Sequence, residues 1–251
     1  MIRRFQEDRP EWMDVVETAT PELEADLTNL ESLNQRFGAH RLVLDYLGPV
    51  LARRQPLRVL DLGTGGADIP RALIMRAREA GCPILVTAVD RQQPTLEIAE
   101  KFSAGFPEIR FVRADFLDFA EGTLYDVVLC NLVLHHLDET DAIRLLRRCR
   151  ELTRGVTLVT DLRRSRLAQA GIFAVTELIY RDPMTRHDAR LSAERAFSFP
   201  ELRKLAIACS NTNISGNVSN VNSRNPSGKT KLLISERIIS FSEASRNPQF
   251  P

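Results

Sequence analysis

Leu23, Leu27, Leu30, Leu33 and Phe37 recur every three or four residues with acidic and polar positions between them. That period predicts an amphipathic helix ending at Gly38. A second helix is predicted over 40–52, with Leu42, Leu44, Leu47, Val50 and Leu51 as its apolar set. Residues 1 to about 50 therefore read as helical, either as a layer on the core or as a cap over a ligand mouth edged by Asn34, Phe37 and His40. From Leu57 the rhythm changes to short apolar runs alternating with helical patterns. Strands are predicted at 58–62, 84–89, 109–113, 125–131 and 156–160, and helices at 69–80, 95–102 and 140–153. Near-continuous apolar strands alternating with helices predict an α/β fold, a doubly wound, mostly parallel sheet covered on both faces.

After the fifth strand the pattern breaks. The tract Asp161-Leu-Arg-Arg-Ser-Arg166 leads into an apolar segment over 167–180. A polar loop is expected over 181–190, with His187 and Asp188 either solvated, the favoured reading, or paired as an oriented imidazole in the lid, and then a helix from about Pro200. The insertion reads as a helical lid at about 163–198. Beyond Cys209 six asparagines crowd among serines between Asn211 and Asn225, a composition expected of loop or disorder; only 232–239 reads as a strand. The predicted organisation is an N-terminal helical cap at 1–50, a core at 51–208 and a divergent Asn/Ser-rich tail at 209–251.

Composition narrows the function classes. A formal net charge of +1 over 251 residues offers no footprint for nucleic acid. The four cysteines, Cys82, Cys130, Cys149 and Cys209, are scattered without ligand-like spacing, so a reducing, cytoplasmic setting and no metal site are expected. Arg3 and Arg4 are followed by acidic residues rather than an apolar run, so no secretory leader is expected. The longest apolar stretch, 167–180, is too short to span a bilayer.

The candidate chemistry lies at Arg58-Val-Leu-Asp-Leu-Gly-Thr-Gly-Gly-Ala-Asp68, a strand that breaks into glycines before a helix opens near Ile69 and Pro70. Such a turn lets a ligand approach backbone N–H groups closely. A dinucleotide fingerprint requires a third glycine where Asp68 stands, and an acid there disfavours a pyrophosphate. No Gly-Lys-Ser/Thr follows, so the phosphate-loop pattern fails too. A ligand with a cationic or zwitterionic part suits Asp61 and Asp68 better. Asp90 is placed to accept from ribose hydroxyls, and Asp115 from an exocyclic amine.

Over residues 30 to 208 the chain resembles the class I S-adenosylmethionine-dependent methyltransferases. The run Val59-Leu-Asp-Leu-Gly-Thr-Gly-Gly-Ala67 is similar to that family's D-x-G-x-G-x-G motif, with Ala67 for the last glycine, a change expected to be tolerated at negative φ. Asn131-Leu-Val-Leu-His-His-Leu137 resembles small-molecule methyltransferases of the ubiquinone and menaquinone group. The resemblance implies a Rossmann-like fold and S-adenosyl-L-methionine as cofactor. It implies contacts from Asp61, Gly63, Thr64, Gly65, Asp90, Arg91, Asp115, Phe116 and Asn131. The acceptor it implies is a small apolar or phenolic molecule, lipid-like or a polyketide phenol, methylated at oxygen or carbon. His135 and His136 are the candidate general bases, with a structural role as the alternative for the pair. Two other functions remain open: an NAD(P)-dependent oxidoreductase, and a catalytically impaired cofactor-binding protein. The second arises because the family's closing antiparallel strand pair is not evident beyond Ala208, as if the reading frame had changed.

Overall fold

A computed structural model describes residues 3–6, 8–210, 231–234 and 238–242. Five strands form the parallel body of the sheet: β1 (Leu57–Leu62), β2 (Ile84–Asp90), β3 (Ile109–Arg113), β4 (Tyr125–Asn131) and β5 (Thr153–Thr160). Their order is β3-β2-β1-β4-β5. The chain therefore reverses direction across the sheet between β1 and β4, where crevices form at the carboxyl ends of the strands. Two further strands, β6 (Lys231–Ile234) and β7 (Ile238–Ser242), pair antiparallel, and β7 pairs antiparallel with β5. The closing pair expected to be missing is thus present, and the proposed motive for an impaired protein falls away. The 232–239 segment splits into two strands rather than forming one. The asparagine-rich run at 211–225 lies outside the described residues.

Helices cover both faces, as near-continuous apolar strands require. On one side α2 (Ala39–Leu51) and α3 (Asp68–Ala80) bury Val43, Leu47, Leu51, Leu73, Ile74 and Ala77 against Val59, Val86, Val127 and Leu158. On the other, α5 (Glu139–Leu152) and α8 (Phe199–Ser210) bury Leu145, Leu146, Cys149, Leu202 and Leu205 against Leu60, Val128, Cys130 and Val159. The α4 helix (Gln93–Phe102) connects β2 to β3. Asp138 caps α5 by accepting from Asp141 N at 2.7 Å, which satisfies one of the amides a helix start leaves unpaired. Cys130 is fully buried, as expected for core.

Two expectations need correction. The first 50 residues are not helical throughout. The α1 helix (Pro21–Arg36) begins at a Thr20 cap, while the residues before it form an arm with a single 3-10 turn at Trp12–Val15. Glu11, Trp12, Met13 and Asp14 of this arm hydrogen-bond to residues far along the chain. The 181–190 segment is not a loop but the start of α7 (Pro183–Arg195), capped by Asp182 with Pro183 at its first position. Apolar periodicity did not reveal it because its buried face is polar: Thr185, Asp188 and Ser192. Asp188 is not solvated; it is 1 % exposed and accepts from Trp12 N and Met13 N at 2.8 and 3.0 Å. The preceding α6 (Arg166–Leu178) packs on α7 but leaves Leu167 and Leu178 largely exposed. Among the described residues no helix is long and apolar enough to cross a membrane.

Candidate active site

The glycine turn joins β1 to α3 through three left-handed residues, Gly63, Gly65 and Ala67, at φ +72°, +53° and +57°. Gly63 N and Thr64 N both donate to Val89 O at 2.9 Å, which ties the turn to the end of β2. A Cβ on Gly63 would lie 2.5 Å from Val133 Cγ2, so glycine is needed for packing as well as for φ. A Cβ on Gly65 would meet nothing within 4 Å, leaving that side of the turn open to a ligand. Ala67 does not have the negative φ expected of it; as a left-handed residue with a Cβ it carries a cost of about 1–2 kcal/mol.

Four carboxylates surround this turn in different states. Asp61 is buried and accepts from Thr64 Oγ1 at 2.7 Å. Burial pushes its carboxyl up to about 7 against that hydrogen bond, with Asp68 and Asp90 adding to the rise. Asp90 ends β2 and accepts from Gly65 N at 2.9 Å and Gln92 N at 3.0 Å; burial raises it despite these two amides. Asp68 opens α3 and accepts from His40 Nε2 at 2.7 Å and Asn34 Nδ2 at 2.9 Å. Burial alone would raise Asp68, but His40 and Asn34 hold it below the usual carboxylate range. Two of the three residues expected near a ligand mouth therefore engage the turn directly, whereas Phe37 is exposed. Asp115 is exposed and accepts from Leu117 N at 2.8 Å, beside the buried Phe116.

The second half of the site is built beyond β4 and β5. Asn131 ends β4 opposite Thr160 of β5, and its Oδ1 accepts from Thr160 Oγ1 at 2.8 Å. Leu132 then takes a left-handed φ of +57° and turns the chain into a 3-10 segment, Leu134–His136. A β-carbon residue in that region is uncommon and marks a tightly specified turn. His135 is buried, and its Nδ1 lies 2.7 Å from Asp161 Oδ1, while Asp161 Oδ2 accepts from His135 N at 2.9 Å. His136 Nδ1 lies 3.1 Å from Asp14 Oδ2. Burial pulls the His136 imidazole down, but the Glu11 and Asp14 carboxylates outweigh it and raise it to about 9. Burial would lift Asp14, yet His136 and Arg91 bring it down to about 2. Arg91 lies 3.2 Å from Asp14, so its side chain braces the N-terminal arm.

The structure thus brings Asp61, Gly63, Thr64, Gly65, Asp90 and Asn131 to the carboxyl ends of β1, β2 and β4, and His135 and His136 to the adjacent turn. Glu11, Asp14 and Asp161 were missed by sequence reasoning. Asp161 carries a signal, since it directly follows a parallel strand where ligands gather; Glu11 and Asp14 carry none, lying in an acidic stretch with no periodicity. Arg164 is buried and pairs with Glu201 at 2.6 Å. A separate cleft of about 460 Å³ beside α6 and α7 is lined by Arg9, Arg181, Arg186 and Arg190 with Phe173 and His187.

Comparison with known proteins agrees with this geometry. Residues 59–155 match the family described as a methyltransferase domain. A malonyl-[acyl-carrier protein] O-methyltransferase of Halalkalibacterium halodurans is 32% identical over 120 residues, 45% of this chain and 42% of that protein. A ubiquinone biosynthesis O-methyltransferase of Rickettsia bellii is 25% identical over 134 residues, 53% of each. The chain spans about half the length of these relatives. Among solved structures, the plantazolicin methyltransferase in complex with SAH superposes with a TM-score of 0.56 at 16% identity, over 74% of this chain and 67% of that one. The magnesium protoporphyrin IX methyltransferase of Synechocystis with bound SAH gives 0.52 at 17% identity, over 83% and 85%. These matches bear out the resemblance of residues 59–155 and their surroundings to the class I S-adenosylmethionine-dependent methyltransferases.

Proposed function

We propose that the protein transfers the methyl group of S-adenosyl-L-methionine to oxygen or carbon of a small, apolar or phenolic acceptor. The observation that carries this reading is the pairing of the open glycine turn with Asp90, whose carboxylate stands 2.9 Å from Gly65 N at the sheet's switch point. The fit to the cofactor is chemical as well as spatial. Asp61, Asp68, Asp90 and Asp115 make the crevice acidic, which suits a ligand carrying a sulfonium and an ammonium group and opposes a pyrophosphate. Asp61, Gly63, Thr64 and Gly65 would hold the amino-acid end, Asp90 with Arg91 the ribose side, Asp115 and Phe116 the adenine, and Asn131 the floor beneath the reacting centre.

When bound, the cofactor supplies an already activated methyl group, so the chain's task is alignment and exclusion of water. Positioning of this kind lowers barriers by about 7–11 kcal/mol. The N-terminal arm meets α7 through Glu11, Asp188 and Ser192, α1 meets α7 through Asp26 and Thr185, and Asp14 of the arm reaches His136 beyond β4, a layer suited to enclosing an acceptor. For a hydroxyl or acidic carbon, His135 is the better of the two candidate bases. Asp161 on Nδ1 holds its ring so that Nε2 carries the free lone pair, and a base placed this way is worth about 10²–10⁴-fold.

Isothermal titration with S-adenosyl-L-methionine tests the cofactor reading. Micromolar binding that disappears in Gly63→Arg is expected, and no binding by the intact chain would refute it. Mass spectrometry of a cell extract incubated with the protein and methyl-labelled cofactor then identifies the acceptor by its gained label.

A further inference from the structure

One ring nitrogen of His135, one of His136 and a Glu11 carboxylate oxygen lie within 4.8 Å of one another. The imidazole nitrogens stand 3.8 Å from Glu11 Oε1 and 3.7 Å from Glu11 Oε2 respectively. Ligand atoms around a tetrahedral zinc ion, at about 2.0–2.2 Å from the metal, are separated by about 3.3–3.5 Å. The two imidazole–carboxylate distances exceed that spacing by a few tenths of an ångström, and a closure of up to about 1.5 Å would bring all three ligand atoms to it. We infer that Glu11, His135 and His136 form a binding site for one divalent transition-metal ion, of which Zn²⁺ fits the donor set best.

A second, independent feature supports the site. Each imidazole has its other nitrogen held by a separate carboxylate, His135 Nδ1 by Asp161 at 2.7 Å and His136 Nδ1 by Asp14 at 3.1 Å. Donation of Nδ1–H to a carboxylate orients each ring with Nε2 toward the site, the usual outer-shell arrangement of metal-bound histidine, and an ion there would displace any proton on Nε2. Glu11 is oriented as well, its Oε1 accepting from Ser192 Oγ at 2.6 Å. Glu11 and His135 are each 3 % exposed, whereas the His136 side chain is open enough to give an ion access. The backbone around the histidines is braced by Arg3, whose guanidinium donates to Leu137 O at 2.6 Å and His135 O at 3.3 Å.

Three carboxylates, Glu11, Asp14 and Asp161, face the two imidazoles, with Arg91 on Asp14 and Arg3 beside the turn balancing part of their charge. Two nitrogens and one oxygen select zinc-like ions over calcium or magnesium, which take oxygen ligands. Three protein ligands leave at least one position for water or an acceptor oxygen. Because Glu11 and the histidines are about 125 residues apart in sequence, the ion would also fasten the N-terminal arm to the sheet edge. An ion on His135 Nε2 takes the lone pair through which that ring could accept a proton, so metal loading and imidazole base catalysis exclude one another in a single molecule.

The test uses the full chain freed of metal by a chelator and titrated with ZnCl₂ alone, without cofactor. One ion per chain is expected, with a rise in Tm of several degrees. Binding should be lost in Glu11→Gln and His136→Ala, and weakened about 10–100-fold in Asp14→Asn, which alters only the outer shell. Circular dichroism checks that each variant is folded, and Asp14→Asn, closest in shape to the native residue, keeps the test valid if another unfolds. Substitution with Co²⁺ should produce visible d–d bands without thiolate-to-cobalt charge transfer. Three results overturn the inference: no zinc bound by the wild-type chain, leaving His136 simply ion-paired with Glu11 and Asp14; stoichiometric binding that survives Glu11→Gln; or charge-transfer bands that put the ion on cysteine. None of these bears on cofactor binding, which is measured separately.

Discussion

The two ends of the candidate site are built in opposite ways. At the cofactor end, a contiguous run from Asp61 to Asp68 supplies the turn, and the next strand contributes Asp90 only 25 residues from Gly65. At the histidine end the interacting groups come from opposite parts of the chain: His136 meets Asp14 across 122 residues, and Ser192 meets Glu11 across 181. The first is a backbone device, in which left-handed dihedrals aim amides at a crevice. The second is a side-chain device, in which buried imidazoles and carboxylates fix one another only after the arm, β4, β5 and α7 have docked. A defect at the cofactor end should therefore act locally and sharply, whereas a defect at the histidine end should couple chemistry to the packing of the arm and lid.

The largest effect is expected from Gly63→Arg. The first side-chain carbon alone would sit 2.5 Å from Val133 Cγ2 at a φ of +72°. Cofactor affinity should fall more than about 100-fold, about 2.7 kcal/mol or more, as read by calorimetry, with far-ultraviolet circular dichroism little changed. Unaltered binding would break the comparison at its cofactor end. Next, His135→Ala should lower kcat by about 10²–10⁴-fold while leaving cofactor affinity nearly unchanged, and Asp161→Asn should do the same to a smaller extent by misorienting the ring. A matching loss of cofactor affinity in either variant would mean that the two ends are not separable.

A third prediction concerns the docking of α1 on α7. Asp26 is fully buried and accepts from Thr185 Oγ1 at 2.6 Å. Burial pushes its carboxyl up from an ordinary 3.8 to about 7, with Asp188 and Asp182 contributing and Thr185 opposing. Between those values the folded state keeps a proton that the unfolded chain has released, so this contribution to stability is complete below about pH 4 and is lost as pH rises toward 7. Each pH unit in that window costs at most about 1.4 kcal/mol. Urea unfolding of wild type and Asp26→Asn at several pH values should show a wild-type stability that declines across the window relative to the variant. Parallel curves would show that the acid is ionised in the fold. The smallest effect is Ala67→Gly, which should add up to about 1 kcal/mol by relieving a left-handed Cβ, reduced by the entropy that glycine adds to the unfolded chain. A destabilisation of similar size would show that the alanine methyl packs favourably despite its φ.

Much of this molecule follows from local pattern. The apolar runs at 58–62, 84–89, 109–113 and 125–131 lie within a residue or so of the observed strands, because a strand buried on both faces leaves a continuous apolar signature. The glycine turn was legible for a related reason: left-handed dihedrals and close packing restrict which residues can stand at Gly63 and Gly65. The failures have physical causes too. Ala67 departs from the φ expected of it because it closes the turn as a third left-handed residue, its N donating to Thr64 O at 2.9 Å. The α7 helix lacks an apolar stripe because its inner face is satisfied by hydrogen bonds to the arm.

By itself, then, the sequence determined the α/β scaffold, its switch point and the acidic glycine turn proposed to hold the cofactor, all of them encoded by residues near one another in the chain. Only the tertiary structure decided that the His135 and His136 rings face Glu11, that Asp161 and Asp14 take their other nitrogens, and that the closing strands β6 and β7 add beside β5. These contacts join residues from 26 to 125 positions apart, and spacing along a chain carries no record of which distant side chains become neighbours once hydrophobic burial has brought its elements together.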